Sequence, residues 1–328
     1  MYFRKVLVGL DLEVRDIRSE EIIPAAAQKV FDRALVIAVA QRGQLKLCAS
    51  VEGLDLTHVP ASPMQVNALT GYLAERLELL EEQAREAGIE CESDLLGGVA
   101  WRELVREAEE FGADLLIVGA GTRADRIGST AAKLLRFASC PVLVERAHEP
   151  KSKPQPTNEV SAAIAAATNT DDDPEPPHVL IADDLSDVGQ QALMSFVGSG
   201  LWRDAKCWLA HMVEPIHWPE AWRYGRPEDE VAKHHAERIE SARQALYQHL
   251  NITDHRTMTY GILPHVLEGS AVETLSRLID EWQIDLLVCG TASRASETEF
   301  GFGSVAESLL PHVPCSVLAF KPQGTLAK

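Results

Sequence analysis

The chain has 328 residues, 46% hydrophobic, 6% aromatic and 24% charged, with a formal net charge of −18. That profile excludes a disordered or membrane-embedded chain. Acidity without a basic stripe repels nucleic-acid phosphates and anionic membrane surfaces, so neither nucleic acid nor membrane is an expected partner.

The opening apolar run, VLVGL (6–10), is too short for a signal-peptide core. No later apolar run approaches the roughly 20 residues a spanning helix needs. The six cysteines form no Cys-x-x-Cys pair, and most sit inside apolar runs. A reduced, cytoplasmic compartment is the expectation.

In chain order, the first half predicts a strand VLVGLD (6–11), an amphipathic helix (24–41) and a strand KLCASV (46–51). A long charged helix (64–87), a strand (90–96), a helix (100–112) and a strand LLIVGA (115–120) follow. A last helix and the strand PVLVER (141–146) close it. Residues 149–177 then carry six of the seventeen prolines, an alanine-rich patch and an acidic run. They read as an extended linker with a short helix around Val160–Ala167. The second half repeats the order: VLIADD (179–184), a helix (187–200), CWLAHMV (207–213), a helix (228–250) and a strand (257–266). A helix (271–283), LLVCGT (286–291), a last helix and SVLAFK (316–321) complete it.

Short, continuously apolar strands alternating with helices predict a parallel sheet covered on both faces. The fold class is therefore α/β, as two tandem doubly wound sandwiches. Predicted domains are 1–148 and 178–328, joined by 149–177. Equivalent residues keep a nearly constant offset: 173 for Asp11 and Asp184, 171 for Gly119 and Gly290, 175 for Gly128 and Gly303 and for Cys140 and Cys315. A drift of four residues over more than a hundred marks a duplication.

Ligands of an open parallel sheet sit outside the carboxyl ends of the strands. Three features of each half land there. They are the acid ending strand one (Asp11, Asp184), the glycine ending strand four (Gly119, Gly290) and the small-residue opening of the last helix. That opening is Gly128-Ser129-Thr130 in the first half and Gly303-Ser304-Val305 in the second. Exposed N–H groups beside a hydroxyl can hold a phosphate, and a carboxylate across the cleft can accept from a base amino group or a ribose hydroxyl.

With its acid after strand one and its glycine pattern after strand four, the chain resembles the universal stress protein family, most closely its tandem, E-type members. In the second half Gly290-Thr291-Ala292-Ser293 is followed by nine residues and Gly303-Ser304-Val305, with serine in place of the family's second glycine. GSVAESLLPHVPCSVLAF and AHMVEP (210–215) also look typical of the family. In the first half only five residues separate Gly119-Ala120-Gly121-Thr122 from Gly128, four fewer.

The resemblance implies strand order 3-2-1-4-5 and, in some members, ATP binding with Mg or Mn. It would place Asp184 at the adenine, and Gly290, Ser293, Gly303, Ser304 and Val305 along ribose and phosphates. Asp11, Gly119, Gly128, Ser129 and Thr130 are the weaker first-half equivalents; the shorter loop leaves Arg123 and Arg126 to meet a smaller anion. Glu297 and Glu299, offset by Arg294, place negative charge in the second-half loop. The resemblance further implies that 141–146 pairs with 316–321. Association of two whole chains is compatible with it.

Structural readings stand beside these. Ser304 and Glu307 have capping-box spacing, and Gly290 and Gly303 suit tight turns. His211 is expected to be a satisfied core or cleft histidine, and His234-His235, being adjacent, a solvated pair. Trp208 is expected to pack in strand two, while Trp218 and Trp222 sit in a loop (216–224) suited to a lid, a ligand contact or an inter-domain surface. A receiver-type acidic pocket is disfavoured because strand three ends in Leu96-Gly97 or Leu267-Glu268. No metal-ligand spacing, P-loop or nucleophile elbow occurs. The expected role is a stress-response or regulatory binding protein, with at most slow ATP hydrolysis or autophosphorylation. The alternative is a scaffold whose clefts take another small molecule or a partner protein.

Overall fold

The computed structural model describes residues 3–12, 22–51, 63–121, 126–146, 175–215, 228–291 and 303–321. The first half runs β1 (Lys5–Leu10), α1 (Ala25–Gln41), β2 (Gln44–Val51), α2 (Pro63–Glu86) and β3 (Glu90–Gly97). It continues through α3 (Ala100–Phe111), β4 (Leu115–Gly119), α4 (Ser129–Phe137) and β5 (Val142–Glu145). The second half runs β6 (His178–Ala182), α5 (Asp187–Ser199), β7 (Lys206–Val213), α6 (Glu228–Asn251) and β8 (Ile262–Glu268). It continues through α7 (Ala271–Glu281), β9 (Leu286–Gly290), α8 (Ser304–Leu309) and β10 (Ser316–Phe320).

Strand order is β3-β2-β1-β4-β5-β10-β9-β6-β7-β8, so each half shows the expected 3-2-1-4-5 order. Within each half every strand pair is parallel. At the middle, β5 and β10 pair antiparallel, with Val144 opposite Val317 and Val142 opposite Ala319. The two five-stranded sheets thereby become one sheet of ten.

Because successive strand residues point to opposite faces, the sheet sorts its apolar residues into two layers. Val6 and Val8 enter the layer covered by α1, α2, α5 and α6, whereas Leu7 enters the layer covered by α3, α4, α7 and α8. Both layers contain residues of both halves, so the core runs unbroken through the seam. Polar contacts tie the halves together as well. Gln41 donates to the carbonyl of Ser199 at 2.8 Å, and Arg136 meets Glu307 at 3.3 Å. The N–H of Ile127 donates to the carbonyl of Pro311 at 2.8 Å.

One predicted element is displaced. The third strand of the second half, expected over 257–266, occupies Ile262–Glu268, and His255–Thr257 forms a 3₁₀ turn instead. Gly261, at φ +71°, turns the chain out of the extended region, so pairing starts only after it. The last helix of the second half is short because Pro311 follows it; residues Leu310–His312 tighten into a 3₁₀ turn. The predicted helix at 160–167 and the tryptophan loop at 216–224 lie outside the described residues. Trp208 is buried and packs 5.4 Å from Trp282, as strand two required. No helix among the described residues is long and apolar enough to cross a membrane.

Candidate functional site

The rim of the second half forms where β6 and β9 end side by side, Ala182 opposite Cys289. Beyond β6 the chain turns through Asp183, Asp184 and Leu185 into α5. Asp184 is exposed, and its Oδ1 accepts from the N–H of Ser186 at 3.0 Å and from the Ser186 hydroxyl. Ser186 in turn caps α5, its Oγ accepting from the N–H of Gly189 at 3.1 Å. One carboxylate oxygen of Asp184 is therefore committed to the turn, while the residue as a whole faces solvent.

Gly290 ends β9, and Thr291 folds the chain back, its N–H donating to the carbonyl of Phe320 at 2.9 Å. The N–H of Gly303 donates to the carbonyl of Thr291 at 2.8 Å. That bond returns the chain beside the end of β9 before α8 opens at Ser304. Gly303, not Ser304, is the N-cap residue, at φ −60° and ψ 142°, and it makes no side-chain cap bond. The expected capping box is thus absent. Ser304 stands one position inside the helix, exposed, and the Glu307 carboxylate reaches Arg136 of the first half instead. Val305 is half-buried next to it. The first-turn N–H groups of a helix lack intrahelical partners, so this opening offers backbone donors at the rim. Ser293, Arg294, Glu297 and Glu299 lie outside the described residues.

The first half repeats the geometry with a tighter loop. Asp11 is exposed just beyond β1, and Gly119 ends β4. The N–H of Gly128 donates to the carbonyl of Ala120 at 2.7 Å, and α4 opens with Ser129 and Thr130 behind Gly128 as N-cap. Gly121 takes a positive φ of +90° to make the return. Arg126 is exposed beside this loop; Arg123 lies outside the described residues.

A network whose His249 the sequence reading did not weigh holds the second rim in place. Asp183, 2% exposed, accepts from His249 Nδ1 of α6 at 2.8 Å through Oδ2 and from the N–H of Leu185 at 2.8 Å through Oδ1. Its carbonyl accepts from His211 Nδ1 on β7 at 2.8 Å, which makes His211 the satisfied histidine expected of it. The Asp183-Asp184 doublet was the only signal for this network, since His249 lies 66 residues away in sequence. The adjacent histidines part company: His234 is exposed, but the half-buried His235 bonds Glu268 at 2.9 Å. Among the described residues no group of three His, Cys, Asp or Glu side chains could hold a metal ion. All six cysteines are free, and burial pushes each thiol up to about 12. None is a reactive thiolate.

A model described as "Universal stress protein family" matches residues 3–146 and again 177–321. A curated Staphylococcus aureus (strain USA300) protein named for that family is 25% identical over 147 residues, covering 44% of this chain and 84% of its own length. Among solved structures, a Pseudomonas aeruginosa protein of the same description superposes with a TM-score of 0.62 at 18% identity. It covers 98% of this chain and 95% of that one. A universal stress protein of Archaeoglobus fulgidus gives a TM-score of 0.61 at 13% identity over 98% of this chain and 99% of its own. At such identities the superpositions speak for the fold, and the doubled match speaks for ancestry: the chain belongs to the universal stress protein family, and carries its domain in two tandem copies.

Proposed function

We propose that the second half binds an adenine nucleotide at its rim and that the first half serves mainly as a structural partner. The observation that carries this reading is the hydrogen bond from Gly303 N–H to Thr291 carbonyl. It returns the opening of α8 to the end of β9, the strand beside the one that Asp184 follows. The exposed Asp184 can accept from an adenine amino group or a ribose hydroxyl, while the backbone donors of Ser304 and Val305 meet phosphate oxygens. Gly290 and Ser293 complete the proposed lining. ATP fits this division, with Mg or Mn arriving on the nucleotide's own phosphates, because the described residues supply no metal cluster of their own. In this reading the protein is a cytoplasmic regulatory binding protein of the stress response, with ATP hydrolysis or autophosphorylation slow at most.

Calorimetric titration with ATP tests the site. Asp184→Ala and Gly303→Val should each weaken binding about tenfold or more, the loss of a charge-assisted hydrogen bond or of close backbone approach. Asp11→Ala should leave it unchanged. A parent protein that takes up no ATP rejects the nucleotide reading, and equal binding by both second-half variants rejects the site.

A second reading, a scaffold without nucleotide, is favoured by one observation. A Cβ on Gly290 would lie 3.0 Å from Val188 Cγ1, so close packing of α5 accounts for that glycine without a ligand. Mass spectrometry of molecules released from freshly purified protein separates the two readings.

A further inference from the structure

We propose that the buried Asp183 and the half-buried His249 form a clamp that positions Asp184 for ligand binding; the ligand half of this statement rests on the nucleotide reading above.

The two halves differ at this point in kind. The residue equivalent to Asp183 is Leu10, 6% exposed, and the strand residue opposite Leu10 is Ala49. The first rim is thus apolar underneath. In the second half an almost wholly buried carboxylate takes that place, opposite His211. A buried carboxylate is costly unless each oxygen is paired, and here each is. Oδ2 takes the His249 imidazole and Oδ1 takes the Leu185 N–H, while the peptide carbonyl of the same residue takes His211. Since a carbonyl can only accept, His211 must carry its proton on Nδ1.

Three elements, α6, β7 and the turn itself, therefore converge on one residue. The next residue inherits that fixity. Leu185 is held at φ +59°, a conformation that non-glycine residues rarely adopt, by the bond its N–H makes to Asp183. That turn directs Asp184 Oδ1 onto Ser186, with the carboxylate left at the surface. Gly189 completes the arrangement: a Cβ there would lie 2.4 Å from Asp183 Oδ1 and 2.9 Å from Asp184 Oδ1. Both carboxylates are packed over the bare Cα of the first helical turn. Asp183 and His249 touch no ligand in this scheme and are positioning residues.

Amide hydrogen exchange on the full chain, read at Leu185, Ser186 and Gly189, tests the clamp without any ligand. Asp183→Leu, which installs the residue found at Leu10, and His249→Leu should speed exchange at those amides about tenfold or more, the loss of one charge-assisted hydrogen bond. Amides of β2, in the other half, should not change. His249→Asn can present its amide nitrogen where Nδ1 stood and should restore slow exchange, whereas His249→Gln reaches the wrong position and should not. A merely structural role would not distinguish Asn from Gln. In ATP titrations Asp183→Leu should weaken binding as much as Asp184→Ala, with no further loss in the double variant. Unchanged exchange in Asp183→Leu, or identical behaviour of Asn and Gln at 249, overturns the clamp. Losses that add in the double variant overturn its positioning role. A parent that takes up no ATP overturns the nucleotide reading alone, and exchange still decides the clamp.

Discussion

Lys321, at the end of the last strand of the second half, donates its ammonium to the carbonyl of Leu135 in the last helix of the first. A cation at a helix C-terminus is favourably placed, but burial pushes this half-buried amine down from 10.5 to about 8. Between those two values this amine binds fewer protons in the folded chain than in the unfolded one, so Lys321 alone contributes a stability that grows as pH rises from about 8 towards 10.5. Lys321→Met should remove that contribution, so its urea midpoint falls more steeply than the parent's as pH rises above about 8.

The thiols act in the opposite sense. Burial raises Cys207 and Cys289 from 9.0 to about 12, and the other four alike. As pH approaches and passes 9 the unfolded chain loses thiol protons that the folded chain keeps, so stability falls as pH rises. Six thiols outweigh one amine: at pH 9.0 each unfolded thiol is already half ionised, so the urea midpoint should turn downward before pH 9 is reached. Replacing Cys207 and Cys289 by Ala should make that fall shallower.

How far such features could be read beforehand depends on their range along the chain. Strands such as LLIVG and LLVCG announce themselves because burial on both faces demands an unbroken apolar run, and the constant offset between halves follows from duplication. The positions of the described rim residues were legible too, since each ends or follows a strand or opens a helix. The clamp was not. His249 lies in the last turn of a charged helix, and nothing local distinguishes it from the exposed His234. Ser304 misled for a different reason: capping-box spacing names a residue pair, but the extended backbone at Gly303 put the cap one position earlier. The late start of β8 has the same origin, a local φ at Gly261 that apolar patterning does not register.

Arg42 offers a separate test of backbone strain. It closes α1 at φ 51° and ψ 46°, exposed, where a side chain brings steric cost that glycine avoids. Arg42→Gly should stabilise the protein by about 0.5–1 kcal/mol, allowing for the greater freedom glycine gives the unfolded chain. Chemical denaturation with an unchanged m-value would show it.

Gly189→Ala should act the other way. The added methyl would press on the Asp183 and Asp184 carboxylates. Overpacking of this kind costs about 1–3 kcal/mol. Thermal unfolding should register the loss, whereas Gly71→Ala, in α2 with open space around its Cα, should not destabilise.

The antiparallel seam also bears on how the protein behaves in a crowded solution. A sheet with free sides can recruit further strands without limit. Here the two sides most suited to sticking, β5 and β10, are spent on each other within one polypeptide. The sides left over are β3, with exposed Glu90, Glu92 and Asp94, and β8, where Pro264 lacks a donor. Duplication thereby pairs two apolar edges with each other and leaves flanks that carry acid at one side and an imino acid at the other, both poor templates for a further strand.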